Sequence, residues 1–368
     1  MSFILETIQN NYNYSDARAI LNGSYLLQYL EKKTKSVDRS SKSRGSFANI
    51  YAIYVLIEDY VNHDFNKPEN DYSSYPGMAF TDALTRTREL PFGEKLQNHA
   101  LNDRCNDEFK KFFYEKTHDV PIVRDLRTKK YWINESLLEV TIQPNKKINI
   151  AQLCLDIINR YVKLKSENIT SFFEELTDLK KIVNSDKDTV IEYIKNTLNP
   201  STDARLFEIT SFVILKYYYC NKTVTFDLNG EKRIQPLMLY KVGRTNANDG
   251  GIDYIMVPLG RIYQVTEVLD FKKYFLDIDK LIHYPITFVV KQNITPEDAI
   301  NKIKTDACAI YSENILEHYL DCFEEIITIP TLTNILKINI DNGFLEQMID
   351  EMIIQCQVEY NFSEKPEN

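Results

Sequence analysis

GGIDYIMVPLGRIYQVTEV, residues 250–268, decides how this chain is read. Two apolar runs, IDYIMV at 252–257 and RIYQVTEV at 261–268, have the composition of strands. Pro258-Leu259-Gly260 between them suits a tight turn. Upstream, TDARLFEITSFVILKYYY at 202–219 predicts a helix that is apolar almost all round, and LMLYKVG, ending at Gly243, predicts a further strand. Downstream, the spacing predicts a helix over 270–283 and a buried strand, PITFVVK, at 285–291. Helix, three strands, helix, strand is a compact αβββαβ module, so the expected fold class is α+β, a mixed α/β core flanked by mainly helical N-terminal and C-terminal regions.

Glycine usage points to the same place. The chain has only 10 glycines, and Gly230, Gly243, Gly250, Gly251 and Gly260 fall within 31 residues of one another. Glycine supplies positive φ and close backbone approach, so a cluster of it marks special backbone geometry. Elsewhere the 368 residues read as an ordinary globular chain, 43% hydrophobic and 26% charged, long enough for two domains. The net charge of −9 is unevenly placed: residues 32–147 carry 20 Lys/Arg against 17 Asp/Glu, and 148–368 carry 23 against 33. A mildly basic front on an acidic back leaves nucleic-acid binding open, because a local patch supplies the electrostatics. Six cysteines without CxxC or Cys/His spacing predict reduced thiols in a cytoplasmic protein and argue against a zinc site. No apolar run approaches the length of a membrane span, and MSFILETIQNNYNYSD is too polar and acidic for a signal peptide.

Three polar side chains sit badly in the apolar module. Glu208 shares a helical line with Phe212, Leu215 and Tyr219; Asp253 opens a strand directly after two glycines; Gln264 lies mid-strand between Tyr263 and Val265. Burying such groups is costly unless they are paired or hold a cation, and three oxygen-bearing side chains suit a hard cation such as Mg²⁺. The bland alternatives are a helix carboxylate paired with Arg205 or Arg244, a turn aspartate, and a satisfied strand amide.

Glu208, Gly250-Gly251-Ile252-Asp253 and Gln264-Val265-Thr266, in this element order, resemble the PD-(D/E)xK nuclease superfamily. The likeness is to type II restriction endonucleases with Gln in place of the first acid of the second motif, and it covers about residues 201–292. It implies a restriction-endonuclease-like core, one or two Mg²⁺ ions, hydrolysis of a DNA phosphodiester, and Glu208, Asp253 and Gln264 as metal ligands. Where the pattern has lysine this chain has Thr266, so either the metal carries that role or a lysine arrives from elsewhere, Lys241 first, Lys272 or Lys273 second. Register leaves the pairing open. A two- or four-residue connection would set Asp253 opposite Thr266 with Gln264 on the same face, whereas a three-residue loop with a glycine bulge would set Val265 opposite Asp253 and align Glu267. The family pattern favours Gln264.

The expected organisation is a mainly helical DNA-recognition region at 1–147 and a catalytic region at 148–368. KKTKSVDRSSKSRGS at 32–46 is the candidate phosphate contact, with Lys35, Arg39, Lys42 and Arg44 ahead of a helix that Ser46 would cap. Arg86 and Arg88 are candidate base readers, since arginine matches the major-groove edge of guanine. These features point to a Mg²⁺-dependent, site-specific endonuclease on double-stranded DNA, a homodimer if it cuts both strands of a palindrome. The rivals are a nucleic-acid-binding protein with a decayed nuclease core, and a nuclease of repair or of modified DNA.

Overall fold

The computed structural model describes residues 2–35, 47–94, 96–143, 146–242 and 251–360. The chain divides into two compact units, Met1–Thr170 and Ser171–Asn368. This corrects the boundary expected near 147. The polar stretch there does not end a domain, because α7 (Ala151–Ile182) starts just after it and carries the break within its own length.

The first unit packs α1 (Phe3–Gln9), α2 (Tyr14–Gly23), α3 (Tyr25–Thr34), α4 (Phe47–Asn62), β1 (Met78–Ala79), α5 (Phe80–Glu89) and α6 (Cys105–Phe113) with two small sheets. The sheets are built from β1 with β2 (Ile122–Asp125) and β3 (Lys130–Ile133), and from the hairpin of β4 (Glu139–Gln143) and β5 (Lys146–Asn149). Its axis is α4, buried almost all round from Asn49 to Ile57, as a helix with so continuous an apolar run must be.

The second unit continues with α8 (Lys187–Thr197), α9 (Ala204–Tyr219), the hairpin β6 (Thr223–Leu228) and β7 (Glu231–Pro236), β8 (Met238–Lys241), β9 (Tyr254–Val257), β10 (Arg261–Thr266), α10 (Phe271–Lys280) and β11 (Ile286–Val290). It closes with α11 (Pro296–Cys308), α12 (Glu313–Leu320), β12 (Phe323–Thr328), α13 (Ile329–Asp341) and α14 (Leu345–Tyr360). Five strands form one sheet in the order β12-β11-β10-β9-β8. β9 runs antiparallel to its neighbours β8 and β10, and β11 and β12 lie parallel to β10. The expected αβββαβ order is present, with a two-stranded ribbon inserted after α9. Gly230 belongs to that ribbon: Asn229 (φ 57°) and Gly230 (φ 85°) make the left-handed pair that a two-residue hairpin turn requires.

The sheet buries both faces. Leu239, Tyr254, Met256, Tyr263 and Val265 pack toward α9, α13 and α14, while Ile286, Phe288 and Val290 pack toward α10 and α11. The C-terminal part departs from its expected reading. Expected to be mainly helical, it carries the strand β12 directly before α13.

Candidate active site

The β9–β10 register follows neither pairing expected from the turn. Arg261 faces Met256 and Tyr263 faces Tyr254, with four residues, Val257 to Gly260, in the connection. Continuing that ladder by one residue sets Gln264 across from Asp253. There the regular ladder ends: the Asp253 N–H donates to Tyr263 O (2.9 Å), and its carboxylate accepts the Val265 N–H (2.6 Å). Asp253 therefore holds the two strands together where they part, which is what a short carboxylate at a strand start can do and a backbone carbonyl cannot.

Alternation along β10 separates the expected catalytic residues. Gln264 lies beside Phe288 and Thr266 beside Val290, on the face covered by α10. Lys241 faces Tyr254, on the side covered by α9 and α14. Glu208 of α9 is on that side too, and its carboxylate pairs with Lys241 (Nζ–Oε1 3.0 Å), which also reaches Glu359 of α14 (3.4 Å). Two residues expected to serve the same cation as Gln264 and Thr266 instead neutralise each other across the sheet from them. Burial alone would pull the Lys241 ammonium down; Glu208 and Glu359 overcome it and hold its pKa above the ordinary lysine value. The Tyr254 hydroxyl donates to the Glu208 backbone oxygen (2.7 Å), and burial, then the charges of Glu208 and Asp253, keep it protonated. A groove of about 550 Å³ runs beside this pair, walled by Phe212, Lys216, Met238, Tyr240, Lys241 and Glu359.

The lysine that comes to Thr266 is not Lys241. Lys273, from the first turn of α10, donates to Thr266 Oγ1 at 2.8 Å. Asp270 sets this helix start by capping the Lys272 N–H (3.1 Å). Glu267 is not a partner of Asp253. It pairs with the buried Lys291 of the segment following β11 (3.0 Å), whose ammonium also donates to Thr202 O.

On the α10 face the structure adds a residue that the sequence pattern did not single out. Asp277 is 3% exposed, and Lys280 reaches its Oδ1 at 2.7 Å while its Oδ2 has no hydrogen-bond partner. Gln264, 8% exposed, likewise has Oε1 buried without a partner. The signal for Asp277 was available: it sits on the apolar stripe of Phe271, Tyr274, Phe275 and Ile278, the same misfit that drew attention to Glu208. Among the described residues no three His, Cys, Asp or Glu side chains form a ready metal cage. Among the described residues of this module, the oxygen donors that suit a hard cation lie on the α10 face, where Gln264 and Asp277 leave acceptors unmet.

In the first unit, the Arg86 guanidinium forms a two-pronged ion pair with Glu58 (2.7 and 2.8 Å) and also touches Glu89. Its fork, expected to read bases, is engaged by carboxylates in this structure. Arg88 donates to Leu96 O (3.2 Å), and Lys35 is exposed at the C-terminal cap of α3. Lys33, within the same basic run, is buried against Glu108 (2.8 Å). Arg39, Lys42, Arg44, Ser46, Gly243, Arg244 and Gly250 lie outside the described residues. All six cysteines are free, and burial pushes the thiols of Cys105 and Cys356 up to about 12, so both are inert at neutral pH. No helix among the described residues is long and apolar enough to cross a membrane. Comparison with protein-family models, curated proteins and solved structures finds no match to this chain.

Proposed function

We propose that the chain is a Mg²⁺-dependent endonuclease of double-stranded DNA, of the restriction type, with its catalytic core in the second unit. One observation carries this: the β8–β9–β10 antiparallel run continued by parallel β11, with Asp253 and Gln264 meeting where the β9–β10 ladder ends. That strand order, led by α9 and interrupted by α10, is the order a restriction-endonuclease-like core requires. When bound, a divalent cation would supply an activated water and a Lewis acid for the developing phosphate charge. The chain's own residues prepare the place. Asp253 keeps a carboxylate at the mouth of the hairpin, and Gln264 adds an amide oxygen. Lys273, held at Thr266, places a positive charge where the family pattern has its lysine. The basic run at 32–46, of which Lys35 is exposed, is the proposed phosphate contact, and action on both strands calls for two copies.

The test is cleavage of a mixed DNA substrate with Mg²⁺ and with EDTA. Asp253→Ala should lose cleavage while keeping its fold; cleavage persisting in that variant or in EDTA refutes the proposal. A second reading, a DNA-binding protein with a decayed core, is favoured by the Glu208–Lys241 pair and by Thr266 in the lysine position. Full-strength DNA binding in EDTA with no cleavage of any substrate selects it.

A further inference from the structure

On the α10 face one glycine is flanked by the unmet Gln264 Oε1 and by the Asp277 carboxylate, whose Oδ1 is met by Lys280 and whose Oδ2 is unmet. Gly251 has φ 92°, a backbone conformation that side chains other than glycine's rarely adopt. A Cβ placed there would stand 3.1 Å from Gln264 Oε1 and 3.5 Å from Asp277 Oδ1. The point left open by the missing side chain is thus flanked by an amide oxygen and a carboxylate from two different elements. Both groups are more than nine-tenths buried. A buried oxygen acceptor without a donor costs about 1–3 kcal/mol, and this face holds one on each of these two side chains, Gln264 Oε1 and Asp277 Oδ2. The cations nearby do not meet that need: Lys280 reaches only Oδ1 of Asp277, and Lys273 is turned to Thr266.

We infer that Gln264 and Asp277 together form a divalent-cation site beneath Gly251, with Asp277 of α10 supplying the carboxylate that Glu208 of α9 was expected to supply. The choice of Mg²⁺ rests on the nuclease reading; the oxygen pair does not. One carboxylate and one amide oxygen suit an ion that keeps most of its waters, as Mg²⁺ and Mn²⁺ do. Glu208 is disqualified by position as well as by its partner, since it lies on the other face of the sheet and is neutralised by Lys241.

The site is tested with Mn²⁺ alone as the probe, by titrating the full chain and following free Mn²⁺ by electron paramagnetic resonance. The wild type should bind Mn²⁺; Asp277→Asn should weaken binding by roughly tenfold or more, and Glu208→Gln should change it by less than about twofold. Lys280→Ala, which removes a competing cation from Asp277 at a half-exposed position, should tighten binding. That variant decides the matter if Asp277→Asn does not fold. No Mn²⁺ binding by the wild type, unchanged binding in Asp277→Asn or in Lys280→Ala, or loss in Glu208→Gln overturns the site and leaves Asp277 as the structural partner of Lys280. Failure of the nuclease reading looks different: Mn²⁺ bound at Asp277 with no DNA cut. Mg²⁺-dependent cleavage that Asp277→Asn leaves intact would overturn the site and spare the nuclease.

Discussion

Lys241 and Lys273 show how one choice between two lysines divides structure from chemistry. Lys241 is clamped between Glu208 and Glu359, all three nearly buried, so its loss strands two carboxylates in the core. Lys241→Met should therefore destabilise the second unit by about 3 kcal/mol, read by denaturant unfolding. The pH dependence has a definite sign. The folded pKa of Lys241 is raised above 10.5, so the stability it contributes is complete below that value. It is lost as the pH rises through the folded pKa. The gap in melting temperature between wild type and Lys241→Met should close above about pH 10.5, and a gap that stays constant contradicts the ion-pair account. Lys273→Met, by contrast, should leave stability within about 0.5 kcal/mol and lower cleavage by at least about a hundredfold. Equal cleavage by that variant and wild type would remove Lys273 from the site. Sequence spacing named Glu208, Asp253, Gln264 and Thr266 as misfits in an apolar module. It could not show that alternation sends Glu208 and Gln264 to opposite faces, because side-chain direction depends on a register that Pro258-Leu259-Gly260 leaves open.

Elements were legible wherever one signal dominated. α9 and α4 follow from unbroken apolar runs, α11 from the Thr295 cap and Pro296, and β9, β10 and β11 from short apolar stretches bounded by turns. β12 was hidden because Glu324 and Glu325 make its start look like a helix surface. Arg261, at the start of β10, pairs with both (3.1 and 2.5 Å), a long-range neutralisation that no local pattern records. The start of α10 matters more than its length implies, since its first turn delivers Lys273 and its next delivers Asp277. Removing the Asp270 cap should cost about 1 kcal/mol. If α10 positions these residues, Asp270→Ala should also lower Mn²⁺ affinity and cleavage. A variant that loses the stability but keeps both would show that the cap is structural only.

At the scale of the whole molecule, two units share the chain, and the break falls inside α7 instead of in a linker. Near 147 there is no linker: β4, β5 and α7 follow one another with almost no connecting chain. The uneven charge, a mildly basic front and an acidic back, agrees with the proposed division of labour: carboxylates gather a cation in one unit while lysines and arginines of the other meet phosphate. If that division holds, DNA affinity should fall steeply with added salt, and Lys35→Ala should lower both the affinity and the steepness of that dependence. The most direct measurement is digestion of a mixed genomic DNA with the wild type and with Asp253→Ala, in Mg²⁺ and in EDTA, with the product ends mapped. The account predicts discrete double-strand cuts at one short sequence by the wild type in Mg²⁺ only, and none by Asp253→Ala. Intact DNA under every condition, or cutting that survives EDTA or the loss of Asp253, would contradict it.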